Sequence, residues 1–382
     1  MLFLLPLIVA ALAAENGGAG QQELTGQALV DYVRTHQNLF EVEESEKNNE
    51  RMKYLMPVDF IPRPRDEDRI KMVVNRKLPE SFNPLIGDYW AYCKDIIKHI
   101  RDQSRCGSCW AVSAAEVMSD RLCVQSEGKI KHQLSDTDIL ACCGEFCGDG
   151  LRVSYFFYVR KRCEGGWPIK AWEWIKENGV CTGGRYSAKN VCKPYAFYPC
   201  GNHTKEIWYG ECPNQSWPTP KCRKACKYGY KTPYEKDKYY AKSAYILPND
   251  EAVIRQEILA NGPVQAVFNV YEDFRLYRRG IYKHTAGKKT GSHAVKIYGW
   301  GTQQIRNSTH TIVTPFWFIA NSWNVDWGER GYFRMVRGED NCGLESMVTA
   351  DSLDFIETSL IFSSAIVYPL YTIEIRDIVS DA

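Results

Sequence analysis

Two cysteines three positions apart stand at the start of a helical pattern in RDQSRCGSCWAVSAAEVMSD, residues 101–120. Cys106 and Cys109 have three chemical interpretations: the corner of a metal site, a redox pair, or one disulfide half beside one nucleophile. A zinc site needs a second cysteine pair at ligand spacing, and a redox pair is typical of a βαβ unit; the sequence shows neither. The third interpretation fits best, with Cys109 as a nucleophile whose thiolate is favoured by the helix N-terminus and a nearby imidazolium.

A nucleophilic thiol needs a base, a group that orients the base, and donors for the developing oxyanion. His293 in GSHAVKIYGWG is the candidate base, and Asn321 in ANSWNVDWGERGYF is the candidate that fixes its tautomer. Gln103 and the backbone N–H of Cys109 are the candidate oxyanion donors. Each residue alone has an ordinary structural interpretation, but their combination with the string CGSCW favours catalysis.

Hydrophobic periodicity indicates the elements that must position these side chains. Helical spacing is found in DIIKHI, WAVSAAEVMSDRLC and IKAWEWIKENGV, whereas AVFNVY, HAVKIYGW, FWFIANSW and GYFRMVR are typical of strands. Because the helices come early and the strands late, the sequence predicts two lobes of different class.

The composition limits the compartment and the partners. The 382 residues suffice for two packed domains, and the net charge of +2 without a long basic run gives no indication of nucleic acid or a charged membrane as partner. The 15 cysteines indicate a disulfide framework formed in an oxidising compartment. Residues 1–14, MLFLLPLIVAALAA, are too short to span a bilayer and are typical of a secretory signal. An exported chain offers three glycosylation sequons, at Asn202, Asn214 and Asn307.

Residues 15–77 contain no cysteine, unlike the body that follows, and predict a removable pro-segment. Its charge run EVEESEKNNERMK is interpreted as solvated or disordered. One helix is predicted here, with Thr25 as its cap and an apolar face made of Leu29, Val30, Val33 and Phe40.

Several strings in order carry a family resemblance: CGSCW, CCGEFCGDG, NGPVQAVFNVYEDFRLYRRGIY, HAVKIYGWG and NCGLES. From about Leu78 to Ala350, with a weaker match back to residue 24, the chain resembles papain-like cysteine peptidases and, within them, cathepsin B. The string FWFIANSWNVDWGERGYFRMVRGEDNCGLE is similar to gut cathepsin B-like peptidases of blood-feeding nematodes, with departures at Phe316, Phe318 and Leu344. The resemblance implies an α+β, two-lobed papain-like fold, with a helical left lobe, an antiparallel β-barrel-like right lobe and the active-site cleft between them.

The same resemblance implies an activity and its partners. Residues 78–350 form the peptidase domain of a secreted or lysosomal endopeptidase that cleaves proteins or peptides, haemoglobin among them, and needs no cofactor or metal. The pro-segment runs backwards through the cleft as an inhibitor, and cystatin-like inhibitors are further expected partners.

The resemblance also assigns the cysteines and the substrate contacts. It leaves Cys109 as nucleophile and Cys181 and Cys342 as inert buried thiols. The implied disulfides are Cys93–Cys123, Cys106–Cys163, Cys142–Cys222, Cys143–Cys147, Cys192–Cys226 and Cys200–Cys212. The implied substrate-binding residues are Gly165, Gly166, Pro168, His203, Ala294, Trp323 and Met347. Met347 stands where cathepsin B has an acidic residue, so we expect an apolar residue, not Arg, two before the scissile bond.

The occluding-type loop, residues 200–212, departs from the family pattern. Of the two histidines that bind a substrate's terminal carboxylate only His203 remains, which predicts endopeptidase action with weak, acid-confined removal of C-terminal dipeptides. The acidic halves of the two ion pairs that latch this loop are present as Asp102 and Asp326. Asn202 and Tyr209 stand in place of the basic halves, and Asn202 is expected to hydrogen-bond Asp102.

Three additions to the family pattern complete the sequence. The aromatic-rich insertion 151–162 adjoins Gly165, and an alternative function follows from it: a catalytically silent, disulfide-rich homologue that acts by binding. TQQIRNSTHTIV is expected to lengthen a loop before Phe316, and the role of the extension 351–382 is unknown.

Overall fold

The computed structural model describes residues 24–148, 162–204, 206–306 and 311–352. The expected signal, nearly all of the insertion 151–162, Asn307 and nearly all of the C-terminal extension lie outside the described residues. Within them no helix has both the length and the apolar character needed to cross a membrane. The helices are α1 (Gly26–His36), α2 (Glu46–Arg51), α3 (Lys94–Ile97), α4 (Cys109–Gln125), α5 (Asp136–Cys142), α6 (Pro168–Asn178) and α7 (Glu251–Asn261).

The helical lobe is organised around α4. Every residue of this helix except Gln125 is buried, and most of them are apolar or small. Its buried charges, Glu116, Asp120 and Arg121, form ion pairs with Lys296, Glu257 and Asp351. The hydroxyls of Ser113 and Ser119 donate to backbone carbonyls one turn earlier, at 2.6 Å and 2.5 Å, so their burial leaves no unpaired donor. Around α4 pack α5, α6 and the long strand of the second lobe. The central helix therefore brings its first residue to the junction between the lobes.

The second lobe is a mostly antiparallel sheet of eight strands in the order β1-β6-β9-β8-β7-β5-β10-β4, in which only β6 and β9 run parallel. Strands β2 and β3 form a separate pair. This arrangement of helices and sheet confirms the α+β, two-lobed class. The strands are β1 (Phe40–Val42), β2 (Val180–Cys181), β3 (Lys238–Tyr239), β4 (Tyr245–Ile246), β5 (Val264–Tyr271), β6 (Tyr277–Tyr282), β7 (Lys289–Arg306), β8 (Thr311–Ala320), β9 (Tyr332–Val336) and β10 (Val348–Ala350).

The segment TQQIRNSTHTIV differs from the expected loop. Strands β7 and β8 continue through most of it, with Gln303 opposite Thr314 and Ile305 opposite Ile312. Its β-branched residues suit a paired, partly exposed ladder, so residues 302–306 and 311–313 lengthen the two strands.

Residues 24–77, here called the N-terminal segment, are folded onto the sheet lobe. Helix α1 buries Leu29, Val30 and Val33 as predicted, and Thr25 is its N-cap residue without a side-chain cap bond. Phe40 is not on that helix: it begins β1, which pairs antiparallel with β6 opposite Gly280. A Cβ at position 280 would meet the Leu39 carbonyl, so this glycine permits the close approach.

The charge run is ordered rather than disordered, while most of its charged side chains are exposed, as expected for a solvated segment. Residues Glu46–Arg51 form α2, and the Ser45 hydroxyl caps it by accepting the Asn48 N–H at 3.4 Å. The basic side chains of this short helix contact a carboxylate of the sheet lobe, which supplies the stability that its own sequence lacks.

Six disulfides connect the pairs that the resemblance implies: Cys93–Cys123, Cys106–Cys163, Cys142–Cys222, Cys143–Cys147, Cys192–Cys226 and Cys200–Cys212. Apart from Cys123 in α4 and Cys142 at the end of α5, the bonded cysteines lie outside the α-helices and strands, where regular structure is sparse. They compensate for the conformational freedom of these connections.

Candidate active site

Cys109 is the first residue of α4 and is fully buried between the lobes. The loop before it is fixed by the Cys106–Cys163 disulfide and by the Gly107 N–H, which donates to the Cys163 carbonyl at 2.5 Å. A Cβ on Gly107 would meet that carbonyl, so the loop requires glycine here. The thiol thus stands at the helix N-terminus, where backbone N–H groups favour negative charge.

His293 comes from β7 and Asn321 from the residue after β8. The His293 Nε2 lies 2.7 Å from the Asn321 Oδ1, and because an amide oxygen only accepts, Nε2 carries the proton. The buried Nδ1 has no hydrogen-bond partner among the described residues. The next residue, Ala294, donates its backbone N–H to the Cys109 Sγ at 3.4 Å, which brings thiol and imidazole to adjoining positions. The Trp323 ring covers the imidazole, with centroids 4.8 Å apart.

Gln103 lies beside the same junction and is 1% exposed. Its Nε2 donates to the Cys106 carbonyl at 2.9 Å and to the Tyr54 carbonyl of the N-terminal segment at 3.4 Å. Its Oε1 accepts from the Ser322 hydroxyl at 2.7 Å, which fixes the orientation of the amide. The structure therefore brings together Cys109, His293, Asn321 and Gln103, although Gln103 and Asn321 are more than two hundred positions apart in the sequence.

Two supporting residues were missed by the sequence reasoning. The Tyr195 hydroxyl lies 2.8 Å from the Ser108 hydroxyl and donates to the Gln103 carbonyl at 2.8 Å, so it links the residues on either side of the disulfide loop. Ser322 holds the Gln103 side chain. Ser322 directly follows Asn321 and could have been proposed from that position, whereas no local signal identifies Tyr195.

The N-terminal segment fills the cleft. Met56 exchanges two backbone hydrogen bonds with Ser292, at 3.0 Å and 2.8 Å, directly before His293. Farther along, the Phe60 ring lies against Gly165 and packs edge-on against Trp167, with centroids 5.5 Å apart. The segment thus passes from the loop side of the cleft, past Cys109 and His293, to the glycines expected to bind substrate.

This covering keeps the reactive pair neutral. Burial raises the pKa of the Cys109 thiol to about 12, although the Ala294 and Trp110 backbone N–H groups lower it. Burial also lowers the pKa of His293 to about 4, against the effect of the Asn321 hydrogen bond. The sequence expectation of a favoured thiolate therefore does not describe this closed state, because the N-terminal segment excludes the water and the charge that would stabilise it.

Most of the residues expected to bind substrate lie on the side of Phe60, whereas His203 and Trp323 lie towards the disulfide-closed loop. Gly166 lies against the Trp110 indole, where a Cβ would not fit. Pro168 begins α6 at the first helical position, as its fixed φ favours. Met347 and Ala294 belong to one buried apolar cluster with Phe60 and Ile61. Met347 also lines a pocket whose described charged residues are all basic: Arg63, Arg69 and Lys289.

The loop closed by Cys200–Cys212 is held by His203. Its Nδ1 lies 3.2 Å from Asp326, and its Nε2 lies 3.0 Å from the Cys200 carbonyl and 3.5 Å from Asp102. Burial lowers the pKa of His203, but the hydrogen bond to Asp326 and the charge of Asp102 raise it by more, to a value above that of a free histidine. His203 thus bridges both acidic halves of the expected latch.

The expectation for Asn202 differs from what the structure contains. Asp102 is contacted by the Asn324 amide at 2.9 Å, whereas Asn202 is exposed and its carbonyl accepts from Lys47 at 2.6 Å. Tyr209 packs edge-on against Tyr186, with centroids 5.3 Å apart. The cations beside Asp326 come instead from the N-terminal segment: Arg51 at 2.7 Å and Lys47 at 3.4 Å.

The remaining predicted positions are peripheral. The sequon residues Asn202 and Asn214 are exposed. Burial raises the pKa of both unpaired thiols, although Cys342 is only partly buried as a residue. Among the described residues one group has the proximity of metal ligands, Cys181, Cys192 and Asp237, but Cys192 is in a disulfide and offers no thiolate.

Comparisons with known proteins agree with this arrangement. Residues 87–352 match the family described as papain family cysteine protease. The chain is 44% identical over 352 residues to cathepsin B-like cysteine proteinase 1 of Haemonchus contortus, covering 90% of this chain and 94% of that protein. It is also 44% identical over 346 residues to a gut-specific cysteine proteinase of Caenorhabditis elegans, covering 90% and 95%. The solved structure of procathepsin B S9 from Trypanosoma congolense superimposes with a TM-score of 0.65 at 29% identity, covering 86% of this chain and 99% of that one.

These relatives cover the N-terminal segment as well as the catalytic lobes, and the structural one is a proenzyme. A segment that fills the cleft is typical of a proenzyme, and a cysteine at the junction of the lobes is typical of a cysteine protease. The chain belongs to the papain family of cysteine proteases, as a cathepsin B-like, cysteine-type peptidase.

Proposed function

We propose that this peptidase is made as a zymogen and, once its N-terminal segment is removed, hydrolyses protein peptide bonds with Cys109, His293 and Asn321. The observation that carries the proposal is the buried His293, oriented by Asn321 and left with an unpartnered Nδ1 next to the thiol. An imidazole oriented in this way can act as a general base, but substrate reaches it only after the cleft opens.

The reaction has two steps, acylation of Cys109 and hydrolysis of the resulting thioester, and His293 transfers a proton in both. The His293 Nδ1 takes the proton of Cys109, whose sulfur attacks the carbonyl carbon of the scissile bond. The oxyanion is stabilised by the Gln103 amide and the Cys109 N–H, and the imidazolium then protonates the leaving amine. Water, activated by the same histidine, hydrolyses the thioester. The Tyr54 carbonyl beside Gln103 supports this role for the amide, because an oxygen already lies at its donor group.

Endopeptidase action is proposed as the main activity, with weak dipeptidyl carboxypeptidase activity. Both ring nitrogens of His203 are engaged, by Asp326 and by the Cys200 carbonyl, so the ring has no free donor for a substrate's terminal carboxylate. When the N-terminal segment is removed, Lys289 is the charged lining residue that stays in the Met347 pocket, and Met347 and Ala294 remain as apolar contacts; both features support a preference for an apolar residue, not Arg, two before the scissile bond.

We also propose a compartment and a class of substrate for the enzyme. The cysteine-rich framework and the expected signal support a secreted or lysosomal enzyme, glycosylated at exposed sequons. The gut-specific relative supports a digestive role, for which haemoglobin is the proposed protein substrate and cystatin-like proteins are proposed inhibitors.

Labelling by an epoxide-type thiol reagent tests the proposal. After acid processing, one equivalent should be incorporated at Cys109, and peptide hydrolysis should be lost in proportion. Absence of both would favour the catalytically silent homologue, disabled by the insertion 151–162. Hydrolysis of a free-carboxylate peptide and its amide between pH 4 and 7 tests the second claim, since a strong preference for the free carboxylate that is lost in His203→Ala would contradict it.

A further inference from the structure

A cavity of about 650 Å³ lies between the N-terminal segment and the disulfide-closed loop. Its lining includes Arg51 from the segment, Asp102 and His203 from the latch, and Trp323, which packs on the catalytic histidine. The cavity therefore continues the cleft from the reacting centre towards the loop. This is the side that receives the residues after the scissile bond, because Gly165 and Met347 lie on the other side.

A cation of the chain itself occupies this side of the cleft. The Arg51 guanidinium lies 2.7 Å from Asp326, and the two side chains are only 15% and 8% exposed. Lys47, at 3.4 Å from the same carboxylate, adds a second, more exposed cation. A buried guanidinium–carboxylate contact of this kind is a recognition geometry rather than a chance surface pair.

Removal of the segment leaves this carboxylate short of positive charge. Asp326 and Asp102 then share a single imidazole, His203, and Glu206 lies nearby on the Asn324 amide at 3.0 Å. Arg105, the arginine of the cavity lining that stays after processing, loses Glu50 with the segment, keeps the Pro213 carbonyl as partner and forms no ion pair with Asp326 in the described structure. A poorly compensated buried carboxylate favours any ligand that brings a cation to it.

We propose that Asp326 is a specificity-determining residue that accepts an Arg or Lys side chain from the part of the substrate that follows the scissile bond. The substrate cation takes the position that Arg51 holds in the zymogen. This inference rests on the proposed endopeptidase function and adds a second selective pocket to it. The apolar preference before the scissile bond and the basic preference after it are then set by different residues, Met347 and Asp326.

The test compares quenched-fluorescence peptides on the processed enzyme at pH 5.5. Each peptide has Leu two before the scissile bond and a C-terminal amide, and carries Arg, Gln or Glu at the second or third position after the bond. We expect kcat/KM at one of these positions to be at least tenfold higher for Arg than for Glu, with Gln between them. In Asp326→Asn this ratio should fall below threefold.

A control variant removes the same charge away from the cavity. Glu177 on α6 is exposed and does not line the cavity, so Glu177→Gln should keep the preference. If Asp326→Asn fails to fold, synthetic peptides of the N-terminal segment are tested as inhibitors of the processed wild-type enzyme. The peptide with Arg51→Gln should inhibit at least tenfold more weakly than the natural peptide, and the peptide with Arg51→Lys should inhibit nearly as well as the natural one.

Each result separates this inference from the proposed function. Epoxide titration of Cys109 gives the concentration of active enzyme, so an unlabelled protein contradicts the catalytic proposal itself. A fully labelled enzyme that cleaves the Arg, Gln and Glu peptides equally overturns only the role of Asp326. A preference that persists in Asp326→Asn, or that is lost equally in Glu177→Gln, also overturns it.

Discussion

At the residue scale, the two cysteines of CGSC have different partners and therefore different functions. Cys106 is bonded to Cys163, whereas Cys109 meets only backbone N–H groups and the catalytic histidine's neighbour. Cys109→Ser should abolish peptide hydrolysis and leave secretion and thermal unfolding nearly unchanged. Cys106→Ser should reduce the free energy of unfolding by about 2–5 kcal/mol. Yield, melting temperature and activity of both variants provide the check; residual hydrolysis by Cys109→Ser would assign the chemistry to another group.

Met347 offers a second residue-scale prediction. In the processed enzyme a carboxylate at this position would lie in a pocket also lined by Lys289, and a substrate guanidinium would be its partner. Met347→Glu should shift the ratio of kcat/KM for Arg over Leu, two before the scissile bond, by about tenfold or more, since a charged hydrogen bond contributes about 1.5–3 kcal/mol. The uncharged variant Met347→Gln is the control. A peptide library in which wild type already prefers Arg would contradict the assignment.

The sequence was sufficient to predict the residues proposed to take part in the reaction, but not the residue that holds them in position through hydrogen bonds. A cysteine nucleophile demands a base, an orienting amide and an oxyanion donor, so a search for those types found His293, Asn321 and Gln103. Tyr195 acts through two hydrogen bonds to residues far away in sequence, and tyrosines are common, so its role depends on geometry that no local pattern encodes.

At the element scale, the disulfide-closed loop should be latched most firmly in a limited pH range. The raised pKa of His203 means that its contribution is complete below the unfolded value of about 6.5 and is lost as pH rises through the folded pKa. The pKa of Asp326 is lowered by His203 and the nearby cations, in spite of its burial, so its contribution is complete above about pH 4 and is lost on acidification.

The expected result is slowest amide exchange of residues 200–212 between about pH 4 and 6.5, after correction for intrinsic rates. The measurement is hydrogen exchange with mass spectrometry on the Cys109→Ser zymogen, in which Arg51 and Lys47 still contact Asp326. His203→Gln should remove the dependence above pH 6, whereas a dependence that survives this substitution would place the latch elsewhere.

Elements were predicted well where their own periodicity decided them, as in α1, α4 and the long strands. The errors concern elements that depend on distant partners. Helix α2 is short and strongly charged, and it is stabilised by Asp326, which lies hundreds of residues later. Phe40 fits an apolar helix face by spacing, but it lies in a strand because its backbone pairs with the edge of β6. No window of local sequence contains either partner.

At the scale of the whole molecule, closure of the cleft should silence the thiol before any processing. With the pKa of Cys109 at about 12 and that of His293 at about 4, neither ionises between pH 5 and 7 in the closed state. Iodoacetamide should therefore modify Cys109 in the zymogen at least a hundredfold more slowly than in the processed enzyme, since each pKa unit changes the thiolate fraction tenfold. Time-resolved mass spectrometry measures both rates, with Cys181 as the internal control that stays slow in both forms.

The pairing of β1 with β6 has a consequence for the mature enzyme's behaviour in concentrated solution. When the N-terminal segment leaves, β6 changes from an interior strand to the rim of the sheet, and its free backbone groups become a template for another chain. The exposed Arg278 and Arg279, which pair with Glu43 and Glu41 in the zymogen, then remain as unpaired like charges along that rim. Mutual repulsion between such rims opposes stacking of one enzyme molecule on the next, so maturation uncovers an aggregation-prone strand together with the charges that keep it soluble.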